Sequence, residues 1–181
     1  MKEAKAAAVA AKGNAARGSS KATTAGGQIP APAAKLRLRG EFKQLSSADN
    51  KKALRLAKET GLSSESKRFS RLSVVHSPRE LNFQELMLLS ERYNVEIRQV
   101  VIKRANGTTD YVIGAGTKYA TPRIPILDGD KVLRSSHTHP GHRNVVASGP
   151  DKATAAYHGV TETIISRDMD TGELVFGSAQ P

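Results

Sequence analysis

The feature that most constrains this chain is the segment 135–151, which reads SSHTHPGHRNVVASGPD. The residues from 131 onward predict a strand that is ended by Pro140. A serine, a proline and an aspartate then follow in an order typical of a helix start. Side chains two residues apart on a strand share a face, so His137 and His139 project together. The segment therefore predicts a strand, a loop and a helix that bring polar side chains toward one place.

The polar residues of this segment are of the types that bind metal ions. His137 and His139 offer two imidazoles, and Asp151 offers a carboxylate in the first turn of the predicted helix, where the helix dipole favours an anion. Such a set leaves one position of a tetrahedral zinc ion open, as in catalytic rather than structural sites. We therefore expect one Zn²⁺ per chain. The sequence has no cysteine, which excludes disulfides and Cys-ligated zinc.

Hydrophobic patterning and turn residues predict the elements around this segment. The order β-α-β-β-β-α-β-β is expected over about 68–178, which defines an α+β domain. Its first helix is expected to begin with a capping box at residues 77–80, with proline at the first helical position. In chain order, the expected strands and helices cover residues 69–76, 77–93, 95–103, 109–114, 131–139, 148–159, 160–166 and 173–177.

Composition divides the chain into three parts. Residues 1–40 are an Ala/Lys/Gly-rich arm that is expected to be disordered, because it cannot bury enough apolar surface to offset its ordering entropy. Residues 41–67 are expected to form a basic helical linker, with a short helix over about 48–60 that packs loosely. Residues 68–181 form the predicted domain and contain the segment 135–151 with His137 and His139.

The net charge of +11 belongs to the N-terminal part, because residues 82–181 hold as many acidic as basic residues. A nucleic-acid partner is therefore an open alternative for the arm and is not expected for the domain. No apolar run approaches the ~20 residues that span a bilayer, so no transmembrane segment is expected. The N-terminus does not predict a signal peptide, and we expect the protein to be cytoplasmic or exported by a specialised secretion system.

A hydrolytic zinc site also needs a proton acceptor and a donor for the developing oxyanion. Ser148 lies three residues before Asp151, so its hydroxyl can face the same cavity; its other role is that of a helix cap. Glu96 is a carboxylate at the start of a predicted strand rich in Val and Ile, where it needs a partner or a function. The alternatives for the base are Glu91 and Glu85, which would otherwise belong to a solvated helix face.

The spacing His137-x-His139-Pro, seven residues and then Ser148-x-x-Asp151 resembles the JAMM motif of the JAB/MPN+ zinc metallopeptidases. The preceding order of strand, helix and a strand opening with a glutamate is similar to that family as well. The resemblance implies zinc ligands at both histidines and the aspartate, a water-activating base at Glu96 and oxyanion stabilisation by Ser148. It also implies a compact MPN-like (cytidine deaminase-like) fold, a mixed sheet flanked by helices. The sequence departs from the family's Glu-x-x-Gly at its last position, which is a glutamine here.

The family resemblance implies a zinc-dependent metallopeptidase or isopeptidase that hydrolyses an amide bond in a protein or peptide substrate, ubiquitin-like proteins included. A compact domain of this type behind a low-complexity arm resembles the JAB-like toxins and effectors that bacteria export. That likeness implies a cognate immunity or delivery protein as a partner. Two alternatives stay open: a non-catalytic MPN-like binding module, and a zinc hydrolase that acts on a non-protein substrate.

Overall fold

Residues 45–62, 73–141 and 144–181 are described by the structure, which is a computed structural model. These ranges contain the helices α1 (Ser47–Glu59), α2 (Phe83–Tyr93) and α3 (Gly149–His158), and the strands β1 (Ser73–Ser77), β2 (Ile97–Lys103), β3 (Thr109–Ala115), β4 (Lys131–Thr138), β5 (Glu162–Arg167) and β6 (Leu174–Ala179). Their order confirms the α+β class. The arm expected over residues 1–40 lies outside the described residues, as does the beginning of the first expected strand. Among the described helices, none combines the length and the apolar character that a bilayer crossing requires.

The six described strands form one open mixed sheet in the order β1-β3-β2-β4-β5-β6. Every neighbouring pair is antiparallel except β4 and β5, which run parallel with Ser135 opposite Glu162 and His137 opposite Ile164. A parallel pair needs a crossover connection, and α3 provides it. The segment 135–151 therefore belongs to the first half of a β-α-β unit, in which one loop joins β4 to the start of α3.

One face of the sheet packs against α2, and α1 packs against α2 in turn, around a buried apolar cluster. This cluster contains Leu56, Ala57, Leu62, Leu81, Leu86, Met87, Leu89, Tyr93, Val95, Ile97, Ile113, Ala115 and Ile165. A second cluster, on β2, β3, β4 and the loop that precedes β4, contains Val100, Ile102, Val112, Ile124 and Val132. From β2, Ile97 belongs to the first cluster and Val100 and Ile102 belong to the second, so this strand is buried on both faces.

Helix α1 is packed more tightly than its sequence predicts. Three of its apolar residues, Ala53, Leu56 and Ala57, are almost completely buried. Their spacing of three and four residues puts them on one side of the helix, so a small number suffices to cover α2. The expectation of a loosely packed helix is wrong because the position of the apolar residues on the helix, rather than their number, decides how well it packs.

Helix α2 begins later than its sequence predicts. Asn82 is the N-cap, and it forms a capping box with Glu85, in which each side chain accepts a hydrogen bond from the other residue's backbone N–H at 3.0 Å. Ser77 instead ends β1, where it pairs with Tyr111, and its hydroxyl donates to the carbonyl of Arg79 at 2.7 Å. The capping box expected at residues 77–80 is therefore wrong, because strand pairing holds Ser77 in the sheet.

Candidate metal centre and active-site cleft

Three of the predicted site residues converge at the end of β4 and the start of α3. Nε2 of His137 lies 2.9 Å from Nε2 of His139 and 3.2 Å from Oδ1 of Asp151. One ligand atom from each side chain lies within 4.8 Å of the others. A tetrahedral zinc ion, with ligand distances of 2.0–2.2 Å, separates its ligand atoms by about 3.3 Å. Two of the separations are already close to this value, so the three side chains could hold such an ion.

Asp151 is held in place by the first turn of α3. Ser148 is the N-cap of this helix, and its hydroxyl oxygen accepts from the N–H of Asp151 at 3.3 Å. In return, Oδ2 of Asp151 accepts from the N–H of Ser148 at 2.8 Å and from its hydroxyl at 2.6 Å. The helix start expected at Ser148 is thus confirmed, and the capping box engages Oδ2 while Oδ1 faces His137.

His139 lies just after β4 and is oriented by backbone groups. Its own N–H donates to the carbonyl of Ile165 at 2.7 Å, and its carbonyl accepts from the hydroxyl of Ser166 at 2.9 Å. Its ring nitrogen Nδ1 lies 3.1 Å from the carbonyl oxygen of Asn144. Because a carbonyl only accepts, Nδ1 carries the proton and donates, which leaves the lone pair of Nε2 for a metal ion.

His137 is completely buried, and buried charges surround it. Its Nδ1 lies 3.3 Å from Oε1 of Glu162, a residue with no exposed surface that is also paired with Arg98 at 2.9 Å. Neither charged residue was predicted as part of the site. A signal was present for Glu162, a charged residue among Val, Thr and Ile in the segment 160–165, and it was weaker for Arg98, which has Glu96 and Gln99 near it in the sequence. The signal for Glu162 is the pattern that distinguished Glu96.

Glu96 immediately precedes β2 and lies beside the ligand cluster. Its Oε1 is 4.0 Å from Nε2 of His139. Burial raises the pKa of Glu96 to about 7; the positive charge of His137 opposes this increase and the negative charge of Asp151 adds to it. A carboxyl group that titrates near neutral pH is well suited to accept a proton and return it.

The alternative bases on α2 are engaged elsewhere. Glu85 pairs with Arg79 at 2.8 Å and caps α2, and Glu91 pairs with Arg167 at 2.6 Å. Neither residue lines the cleft at the ligand cluster. The expectation that they belong to a solvated helix face is wrong, because both carboxylates are mostly buried in ion pairs.

The charges in the cluster are mutually compensating. Burial lowers the pKa of His137, but hydrogen bonding with Asp151 and Glu162 outweighs burial and raises the pKa to about 9. Burial opposes the ionisation of Asp151, but hydrogen bonds from His137 and Ser148 hold its pKa far below the usual range. In the metal-free protein at neutral pH, the cluster is an imidazolium between two carboxylates. A divalent cation bound there would take the place of that proton.

A cleft of about 370 Å³ opens in front of the cluster. Four predicted site residues line it, and His137 lies behind them. The other lining residues are Arg98, Tyr119, Ala120, Thr121, Asn144, Val146, Pro150 and Thr154.

One wall of the cleft is the segment 116–122. A backbone bridge joins Thr117 to Ala120, and Tyr119 is exposed at its tip. At Gly116 a Cβ atom would lie 1.8 Å from the carbonyl oxygen of Ala120, so this position must be glycine for the segment to fold back as it does.

The structure places all five predicted site residues, Glu96, His137, His139, Ser148 and Asp151, in or directly behind this cleft. His142 and Arg143, in the loop between β4 and α3, lie outside the described residues.

Comparison of the chain with protein-family models, with curated proteins and with solved structures found no match. The chemistry of the cleft therefore has to be argued from its residues.

Proposed function

We propose that this protein is a zinc-dependent hydrolase of the JAMM type, with an MPN-like fold, that cleaves an amide or isopeptide bond in a protein or peptide. The observation that carries the proposal is the convergence of a two-histidine, one-aspartate ligand set with a separate carboxyl group, Glu96, at one cleft. A purely structural zinc site is closed by a fourth protein ligand and needs no neighbouring base.

Each of the five residues has a role in this proposal. When bound, zinc acts as a Lewis acid toward the carbonyl oxygen and lowers the pKa of water to about 7. His137 and His139 would hold the ion through Nε2, and Asp151 would hold it through Oδ1. Glu96 accepts the proton of the attacking water and returns it to the amine as the carbon–nitrogen bond breaks.

Ser148 serves as both helix cap and oxyanion donor in this proposal. Its hydroxyl hydrogen points to Asp151 in the structure, at 2.6 Å. Rotation about the Cβ–Oγ bond turns the same hydrogen toward the cleft, where it can stabilise the negative charge that develops on the carbonyl oxygen. The backbone hydrogen bonds of the capping box keep Asp151 in place during this rotation.

The lining of the cleft favours a peptide over a phosphate-containing substrate. Among the lining residues that the structure describes, Glu96 and Asp151 are acidic, and the one cation, Arg98, is paired with Glu162. The remaining polar groups are neutral hydroxyls and an amide, which suit the donors and acceptors of a peptide backbone. Export as a toxin or effector, with an immunity or delivery protein as partner, stays a prediction from the sequence.

The test of the proposal is the variant Glu96→Gln in the full chain. We expect it to retain one zinc per chain by elemental analysis and to lose at least a hundredfold in turnover of the best substrate among ubiquitin chains, short peptides and muropeptides. Glu91→Gln is the matched control, because it makes the same change in a carboxylate outside the cleft and should leave turnover unchanged. Wild-type protein without stoichiometric zinc, or a fully active Glu96→Gln, contradicts the proposal. Cleavage of muropeptides alone would exclude a protein substrate.

A further inference from the structure

A buried carboxylate behind the candidate metal centre has no role in the proposed chemistry. Glu162, the first residue of β5, has no exposed surface. Its Oε1 accepts a hydrogen bond from Nε of Arg98 at 2.9 Å and another from the hydroxyl of Ser135 at 3.0 Å. The same oxygen lies 3.3 Å from Nδ1 of His137. Burial of an unpaired carboxylate is strongly unfavourable, so the partners of Glu162 indicate its role in the structure.

Arg98 alone does not account for the position of Glu162. Arg98 lies opposite His137 on β2, and Glu162 lies opposite Ser135, two residues before His137, on the other side of β4. The two pairings put all four side chains on one face of the sheet, with the carboxylate beside the imidazole ring. Ser135 adds to the order of the site, because its oxygen also accepts from Nδ1 of His158 at 3.2 Å while its hydroxyl donates to Glu162.

The buried ring of His137 needs an acceptor on the side away from the ligand cluster. A neutral imidazole carries one proton, and metal binding through Nε2 places that proton on Nδ1. Nδ1 of His137 is buried, and its contact with Oε1 of Glu162 at 3.3 Å is too poorly aligned for a full hydrogen bond. Oε1 of Glu162 is the acceptor that it faces, and a small rotation of the ring or of the carboxylate would align the N–H with it.

We infer that Glu162 is a positioning residue for the metal centre: its carboxylate accepts the Nδ1–H of His137 and so presents Nε2 to the zinc ion. Arg98 and Ser135 hold the carboxylate in that position. For His139, the backbone carbonyl of Asn144 is the corresponding acceptor of the Nδ1–H. A carboxylate is the stronger acceptor and makes the imidazole a more basic ligand. The inference rests on the proposed function, since it requires a metal ion at this cluster.

The first test is the zinc affinity of Glu162→Gln in the full chain, measured by competition with a chromophoric chelator. We expect binding to be weaker by about 10- to 100-fold, the usual effect of removing such a partner. Glu91→Gln is the matched control, because it replaces another mostly buried, Arg-paired carboxylate that lies outside the cleft. Its zinc affinity should equal that of the wild type.

The second test takes its main readout from the wild type, so that readout does not depend on the folding of a variant. In the zinc-loaded wild type, ¹⁵N–¹H correlation spectra of the imidazoles should show Nε2 of His137 bound to the metal and Nδ1 protonated. The Nδ1 proton of His137 should lie downfield of that of His139, because it donates to a carboxylate rather than a carbonyl. In Glu162→Gln this proton should move upfield. A merely structural role of Glu162 would not change this signal.

The outcomes separate this inference from the proposed function. A folded Glu162→Gln that binds zinc as tightly as the wild type overturns the inference and leaves the function standing. Zinc on Nδ1 of His137, or an Nδ1 proton no further downfield than that of His139, also overturns it. Zinc binding with no hydrolysis of any substrate overturns the function alone. A wild type that binds no zinc overturns both.

Discussion

Oε1 of Glu96 lies 4.0 Å from Nε2 of His139, although the two residues are far apart in the sequence. The antiparallel register of β2 and β4 places Arg98 opposite His137. Beyond this pair, the backbone N–H of Glu96 donates to the carbonyl of Thr117 at 2.7 Å, and that of His139 donates to the carbonyl of Ile165 at 2.7 Å. The position of the proposed base relative to a proposed ligand is therefore set by backbone pairing, which is more rigid than contacts between surface loops.

In the metal-free protein, Glu96→Gln should become more stabilising as the pH rises. Burial raises the pKa of Glu96 from its ordinary 4.5 to about 7 in the folded state. The folded state therefore binds this proton more tightly than the unfolded state does. The stability that the bound proton contributes is fully present below about pH 4.5 and is lost as the pH rises through 7. The difference in unfolding free energy between variant and wild type should grow by on the order of 3 kcal/mol across this window.

Urea denaturation of both proteins in EDTA, from pH 4 to pH 8, measures this difference. A stability difference between Glu96→Gln and wild type that stays constant over the range would show that Glu96 ionises normally in the folded protein.

Zinc binding at pH 7.5 should release at least one proton, that of the His137 ring, and ionisation of the bound water adds to this number. Hydrogen bonding with Asp151 and Glu162 outweighs burial and raises the pKa of His137 to about 9, so its ring is protonated in the metal-free protein at this pH. A histidine must be neutral to bind zinc. Titration calorimetry in buffers of different ionisation enthalpy measures the released protons, and the number should fall as the pH is raised past 9. A binding enthalpy that is the same in every buffer would contradict the prediction.

Ser148→Ala should reduce both stability and turnover. Loss of the N-cap costs about 1 kcal/mol of stability, and loss of an oxyanion donor costs about 10²–10³ in kcat. Asn82→Ala is the matched control, because Asn82 forms the capping box of α2 away from the cleft. It should lower stability by a similar amount and leave kcat unchanged. If Ser148→Ala retains kcat within about fivefold of the wild type, Ser148 is a helix cap only.

Leu56→Ala should destabilise the protein by about 2–5 kcal/mol, although α1 was predicted to pack loosely. Leu56 is 1% exposed in the core cluster shared with α2. Leu54, two residues earlier on the same helix, is 38% exposed, and Leu54→Ala should cost well under half as much. Chemical denaturation of the two variants measures the difference. Equal, small effects would mean that α1 contributes little to the core.

Local sequence patterns predicted the parts of the site that depend on residues close together in the chain. His137 and His139 share a face because strand geometry requires it, and Ser148 caps α3 three residues before Asp151. The α+β class and the strand and helix order followed in the same way from hydrophobic periodicity and turn residues. In each case the deciding interactions span only a few residues.

Sequence alone determined the strand, loop and helix that carry the two histidines and the aspartate, because the hydrogen bonds of a strand end and a helix cap are local. Only the tertiary structure decided that Glu162 lies against His137, because this contact depends on the parallel register of β4 and β5. The tertiary structure also decided that Ser77 ends a strand rather than beginning a helix, because pairing with Tyr111 competes with a local capping box. Long-range pairing fixes the register of every side chain on a sheet at once, and no short segment carries that information.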